Sequence, residues 1–551
     1  MFTHRSLVIV FIFSIPYFTF SQKLKKADKV IVSNLQAHIS YLADDKLEGR
    51  RAGSNGEKLA GEYISQQFKK AGLQPKGDYN GWFQSFDIND GKQINPTTHM
   101  IINGNDLKLN TEYFPLSFSA NQGTEAAVTM ALSESGVPWF VDLKDILEEN
   151  KDNPHFDLSQ SLMKKAEAAA AKGASALIYY NSSEVADNLK FNGKDRLESV
   201  KIPVIFITSE SRKKYLPDET ATMDIKLKVD IGDKKRTGNN VVGFIDNNAP
   251  STIILGAHYD HLGFGEDGNS LQGNIEKSIH NGADDNASGT AALIELASLL
   301  KASKNKKNNY LFIAFSAEEL GLNGSRFFTE HMPADLKAVN YMINMDMIGR
   351  LNETSKTLTV AGVGTSPAWS PVFTAVDKKK PFTVKFDSSG TGPSDHTSFY
   401  RKDIPVLFFF TGLHTDYHKP TDDFDKINYT GELQIIRYIQ SIIEATSTRG
   451  KLAFTKTREQ PMGTTARFSV TMGIMPDYTF TGAGVKVDGI SDGRPAQKAG
   501  IQAGDVIVQL GEHNTSSMEA YMQALSKFKK GDKAKVKYKR GNDMGETEVQ
   551  F

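Results

Sequence analysis

Four stretches in the middle of this chain are apolar at consecutive positions rather than at alternating ones. They are Ser251-Thr252-Ile253-Ile254-Leu255-Gly256, Tyr310-Leu311-Phe312-Ile313-Ala314-Phe315, Val339 to Met345 and Val406 to Phe410. Successive strand side chains point to opposite faces, so such a run needs apolar cover on both. Asn240-Val241-Val242-Gly243-Phe244-Ile245 adds a further strand, and Gly289 to Leu300 carries alanines and leucines on one helical face. A second helix is predicted over Gly431 to Thr446. Strands alternating with helices give an α/β fold: a mostly parallel, mixed sheet with helices on both faces. Ligands then gather at the carboxyl ends of the strands.

Five fragments lie where those runs stop. They are Ala257-His258-Tyr259-Asp260-His261-Leu262-Gly263, Gly282-Ala283-Asp284-Asp285-Asn286, Ser316-Ala317-Glu318-Glu319-Leu320-Gly321, Asn344-Met345-Asp346-Met347 and Tyr417-His418-Lys419-Pro420. Imidazoles mixed with carboxylates suit zinc, which takes nitrogen and oxygen ligands. The chain has no cysteine, so thiolate sites and disulfides are excluded. Singly, each fragment is a weak signal: a loop histidine is usually surface, and Asp-Asp-Asn is usually a turn or cap. Jointly they are specific, since seven of the twelve histidines fall between His258 and His418.

The order and wording of the five fragments resemble the co-catalytic di-zinc peptidases, the family of bacterial zinc aminopeptidases and glutamate carboxypeptidase. The resemblance implies two Zn2+ ions. It implies that His258 and Asp346 bind one, His418 and Glu319 the other, and that Asp284 bridges them. Asp284 also reads as an N-cap for the helix opening near Ala287, and the two roles are compatible. The family's cis peptide would fall at Asp284–Asp285. Glu318 and Glu319 are adjacent and face different sides. The resemblance makes Glu318 the general base and Glu319 the ligand, with two zincs about 3.5–4 Å apart acidifying water and polarising the carbonyl. Asp260 lies two residues beyond His258. On a strand it faces the same way, where it can accept the other imidazole N–H and fix the tautomer. Ser394-Asp395-His396-Thr397-Ser398-Phe399 resembles a family segment that braces the pocket. His261, His280 and His414 receive no ligand role.

At 551 residues the chain exceeds one core. His4 and Arg5 precede an apolar run from Leu7 to Phe20, then Thr19-Phe20-Ser21, which reads as a signal peptide over 1–21 and a secreted or periplasmic protein. No stable membrane anchor is expected after cleavage. The zinc peptidase domain is expected over 22–104 and 234–450. Leu47-Glu48-Gly49-Arg50-Arg51-Ala52-Gly53-Ser54 resembles the loop before the family's first long helix. Between the two parts, an alanine-rich helix from Met163 to Lys172, the run Gly173 to Asn181 and Ile202-Pro203-Val204-Ile205-Phe206-Ile207 resemble a β-rich protease-associated (PA) domain, placed at 105–233. A linker is expected at 451–465. Over 466–551, Gly484 to Ile490, Arg494 to Ile501 and Ala503 to Ile507 resemble a small α+β PDZ domain. Met472-Gly473-Ile474-Met475 matches the loop that holds a peptide C-terminus there.

A formal net charge of +0 offers nothing for nucleic acid or an anionic membrane. The expected activity is removal of N-terminal residues from peptide substrates. Two other readings stay open from sequence: a carboxypeptidase or dipeptidase on the same scaffold, and a peptide-binding protein with structural metal.

Overall fold

The computed structural model describes residues 24–551 apart from 152, 154–155, 196, 271, 273–277, 334–337, 458–469, 477–479, 481, 491–493, 517, 526 and 530. The expected signal peptide and the second half of the expected linker lie outside the described residues.

The four continuous apolar runs are neighbouring parallel strands. Thr252–His258 lies between Asn309–Phe315 and Val339–Met345, and the latter pairs with Val406–Phe410. Antiparallel strands flank this parallel centre. Ile231–Ile245 pairs with Asn309–Phe315 and with Phe83–Ile94, and Thr357–Ala361 pairs with Val406–Phe410. The result is a nine-stranded mixed sheet.

The two-residue strand period explains the lack of polar alternation. Ile253, Leu255 and Ala257 join Phe312 and Ile343 in the core on one face, while Ile254 joins Leu311, Ile313 and Met342 on the other. The helices Lys26–Leu42, Gly289–Ala302 and Tyr429–Thr446 cover the first face through Leu35, Leu296 and Ile439. Phe328 of Asn323–Glu330 and Phe399 of His396–Tyr400 cover the second. Each such side chain, once buried, contributes about 1.5–3 kcal/mol. The carboxyl ends of all four parallel strands therefore open on one edge, where the five fragments sit.

The segment between Phe83–Ile94 and Ile231–Ile245 forms two four-stranded sheets with cores of their own. In one, Thr222–Lys228 pairs antiparallel with Gly123–Thr129 and His99–Ile102. In the other, Ala176–Tyr180 lies parallel to Pro138–Asp142 and Val204–Ile207. The helix Leu158–Ala171 packs Leu162 and Ala166 into the second core. Pairing of His99–Ile102 brings residues before 105 into these sheets, so the sheet boundary falls earlier than the sequence pattern placed it. Near the C-terminus a six-stranded sheet surrounds its own core with the helices Pro495–Lys498 and Met518–Leu525.

One carboxylate joins the 99–228 segment to the loop that follows His261. Asp267 accepts two bonds from Arg51, at 2.7 and 2.8 Å, and pairs with Lys194 at 2.9 Å and Arg236 at 3.3 Å. Burial pushes its pKa up, but these cations prevail and hold it well below the usual carboxylate range. Removing one member of such a network leaves buried charge uncompensated. Asp267→Ala is expected to lower stability by about 2–3 kcal/mol. Urea unfolding of the variant against the wild type measures this, and an unchanged midpoint would contradict it.

Candidate metal and catalytic site

Asp285 lies in the helical turn Ala283–Ser288 that opens the helix Gly289–Ala302, and the other site residues are delivered by a strand end or the loop after it. His258 is the last residue of Thr252–His258, and Asp346 follows Val339–Met345. Glu318 and Glu319 come three and four residues after Phe315, and His418 lies in the loop after Val406–Phe410. Three non-glycine residues here hold positive φ: Ala317 at 56°, Met347 at 53° and His418 at 54°. Such backbone costs about 1–3 kcal/mol each and persists only where surrounding packing enforces it.

The central residue is Asp285. Its Oδ1 lies 3.3 Å from His258 Nε2, and its Oδ2 lies 3.3 Å from His418 Nε2. Asp346 Oδ1 is also 3.3 Å from His258 Nε2, and Glu319 Oε2 is 3.3 Å from His418 Nε2. One carboxylate thus presents its two oxygens to two separate imidazole–carboxylate pairs. Asp284 does not occupy this position. Its Oδ1 accepts from Gly349 N at 2.7 Å and Ser288 Oγ at 3.1 Å, and its Oδ2 is 3.2 Å from His414 Nε2. The expected bridging geometry therefore belongs one residue later, and so does the cis peptide, found at Asp285–Asn286. The capping role expected of Asp284 falls to Asn286, whose Oδ1 accepts from Gly289 N at 3.0 Å.

Both imidazoles point Nε2 into the site. His258 Nδ1 lies 3.2 Å from the backbone oxygen of Asp260, and His418 Nδ1 lies 2.9 Å from that of Asn269. A carbonyl can only accept, so Nδ1 donates to it, which leaves Nε2 as the nitrogen that ligates a metal once its own proton is lost. The bond to His258 was expected from the Asp260 carboxylate, which is instead 3.8 Å away. The strand ends at His258, so the alternation argument does not reach Asp260. Its carboxylate accepts from Glu318 N at 3.1 Å and Glu319 N at 3.4 Å, holding the backbone of the glutamate pair.

Electrostatics point to cations. Burial pulls the His258 imidazole down, but Asp346 and Glu318 prevail and raise its pKa well above normal. His418 is likewise raised against burial, by Glu319 and Asp285. Burial raises Glu318 well above the usual range, with Asp395, Glu319 and Asp346 adding to it. Asp395 is fully buried, and burial, with Asp346 nearby, pushes it up to about 7. So many buried carboxylates persist only where positive charge compensates them. The donor set of two imidazoles and three carboxylates, with Asp285 between them, fits two zinc ions.

Three contributions escaped the sequence. His261 is buried, with Nδ1 2.8 Å from Glu319 Oε1 and 3.9 Å from Asp285 Oδ2. It forms a metal-capable group with those two residues, beside the group His258, Asp285 and Asp346. Arg50 is fully buried and donates to the backbone oxygens of Tyr259 at 2.7 Å, Asn281 at 2.7 Å and Gly282 at 3.0 Å, and to Leu42. It ties the end of the His258 strand to the turn before Asp285. Gly282 has φ +56°, and a Cβ there would lie 2.2 Å from Asp285 O, so only glycine fits. The sequence signal for Arg50 was its place in the 47–54 fragment. His261 and Asp422, whose carboxylate accepts from Asp284 N and Asp285 N, gave no separable signal.

Glu57 supports the glutamate pair from the other side. It accepts from Gly53 N at 2.6 Å and from Ser316 Oγ. Burial, with Asp260 close by, pushes its pKa from 4.5 up to about 8. The folded state therefore holds the proton that the unfolded state releases. Stability from this group is present below about 4.5 and is lost as pH rises towards 8. Glu57→Gln is expected to flatten the decline in that window by up to about 1.4 kcal/mol per pH unit. Urea unfolding at several pH values checks this, and parallel wild-type and variant curves would contradict it.

Residues 240–443 match peptidase family M28, and residues 455–551 match the PDZ domain. An aminopeptidase of Bacillus subtilis, YwaD, is 30% identical over 283 residues, covering 48% of this chain and 55% of the relative. An aminopeptidase of Pseudomonas aeruginosa is 33% identical over 192 residues, covering 34% and 32%. The chain thus spans about half the length of the first relative and a third of the second. A zinc aminopeptidase structure from Bacillus subtilis is 24% identical with a TM-score of 0.42, covering 77% of this chain and 98% of that one. Residues 240–443 are thus similar to peptidase family M28, and residues 455–551 to the PDZ domain.

Proposed function

We propose that this chain is a zinc-dependent aminopeptidase that hydrolyses the N-terminal peptide bond of peptides. In this reading His258, Asp285 and Asp346 would hold one zinc, and Asp285, Glu319 and His418 would hold the other. The observation that carries it is the position of Asp285, with each carboxylate oxygen 3.3 Å from a different imidazole. Zinc, when bound, supplies Lewis acidity that polarises the peptide carbonyl and makes water more acidic. Glu318 takes the proton from the attacking water and returns it to the leaving amine. Asp260 fixes the backbone of Glu318 and Glu319, and His261 holds one oxygen of Glu319 so that the other faces His418.

The names of the relatives support the aminopeptidase reaction. The 1–21 pattern supports work outside the cytoplasm. Among the described residues no helix is long and apolar enough to cross a membrane. The two small sheets between 99 and 228 fit a PA domain in their mix of strands and one alanine-rich helix. The PDZ domain is assigned a peptide C-terminus as ligand.

Matched peptides with free and acetylated N-termini test the reaction. Release of the first residue from free N-termini alone supports the aminopeptidase reading. Cleavage indifferent to acetylation would replace it with a carboxypeptidase.

A further inference from the structure

The turn that presents Asp285 is gripped from two sides. Arg50 binds the carbonyls of residues 281 and 282. The amides of the next three residues all go to one residue, Asp422. Ala283 N donates to its backbone oxygen at 3.1 Å, and Asp284 N and Asp285 N donate to its carboxylate Oδ2 at 3.0 and 3.1 Å. Asp422 lies four residues after His418, and its own amide donates to Lys419 O at 3.1 Å. Its side chain is fully buried. One side chain therefore locks the Asp285 turn to the loop that carries His418, two segments about 130 residues apart in sequence.

We propose that Asp422 is a positioning residue for the second metal, rigidly coupling Asp285 to His418. This rests on the two-zinc reading above. Asp422 is not aimed at substrate or at the reacting atoms. It acts by denying the two loops independent motion. Two consecutive amides converge on one buried acceptor oxygen. Partners that orient metal ligands typically change affinity 10- to 100-fold when removed. The contact needs an acceptor atom at the Oδ2 position, which an asparagine oxygen supplies.

The test uses the full chain as wild type, Asp422→Ala and Asp422→Asn. Zinc titration against a competing chelator gives the affinity of each site, and hydrogen exchange of the zinc-free proteins reports the amides of Asp284 and Asp285. In Asp422→Ala, one of two zincs is expected to bind about 10- to 100-fold more weakly, and both amides to lose protection. Asp422→Asn is expected to keep both zincs and the protection. Wild-type affinity at both sites in folded Asp422→Ala would overturn the proposal. So would an asparagine variant that loses the second zinc as alanine does, since charge rather than the acceptor would then matter. If the alanine variant does not fold, the asparagine variant decides on the same terms. Failure of the wild type to bind two zincs would instead overturn the two-zinc reading, and the exchange data on zinc-free protein would still decide whether Asp422 holds the turn.

Discussion

Asp285→Asn is expected to lose at least one zinc and with it essentially all peptidase activity, whereas Asp284→Asn retains both metals. The two residues are adjacent and identical in type, so the pair is a controlled comparison. Asp285 offers both oxygens to imidazole–carboxylate pairs, and an amide can offer only one oxygen as a ligand. Loss of a residue that merely orients a ligand weakens metal affinity 10- to 100-fold, so loss of the shared ligand should cost at least about 100-fold. Asp284 uses Oδ1 to accept from Gly349 N and Ser288 Oγ, and an asparagine oxygen preserves both contacts. Zinc content after dialysis against a weak chelator gives the answer. Equal zinc loss in both variants would contradict the assignment of the bridge to Asp285.

Glu318→Gln carries the second large effect. It is expected to lower kcat by about 10²–10⁴-fold while both zincs remain bound. The substitution keeps the size of the side chain and leaves the backbone N–H that donates to Asp260 untouched. Binding of substrate and of metal is therefore preserved, and KM should move little. Steady-state kinetics with zinc analysis on the same sample checks both halves. A variant that turns over peptides at the wild-type rate would remove Glu318 from the chemistry. A variant that loses zinc would place it among the ligands.

The fold was legible because the signal is physical and repeated. Residues 252–256, 310–315, 339–345 and 406–410 lack polar alternation because their side chains enter two different cores. Four of the five fragments follow those strands and were legible for the same reason, since a parallel sheet brings strand ends together, while the fifth opens the helix Gly289–Ala302. What failed was register within a turn. Sequence cannot say which of two adjacent aspartates faces the imidazoles, because that depends on the backbone from Gly282 to Asn286, with Gly282 at positive φ. The same limit applies to Asp260. The expectation assumed strand geometry two residues past His258, but the strand stops there, and the backbone oxygen takes the contact assigned to the carboxylate. Arg50 and Asp422 contribute by binding backbone carbonyls and amides, which leave no trace in residue type. The start of the small sheets at His99 was hidden because a four-residue strand has too few residues to show a period.

On the proposed reading, two zincs held around Asp285 drive removal of N-terminal residues. The most direct test is activity of the chelated full chain as zinc is returned in measured equivalents, with a peptide bearing a free N-terminus as substrate. The chelated protein is expected to show no turnover, and recovery to saturate at two equivalents. Full turnover in the chelated protein, or two bound zincs with none on a broad set of free-amine peptides, would contradict it.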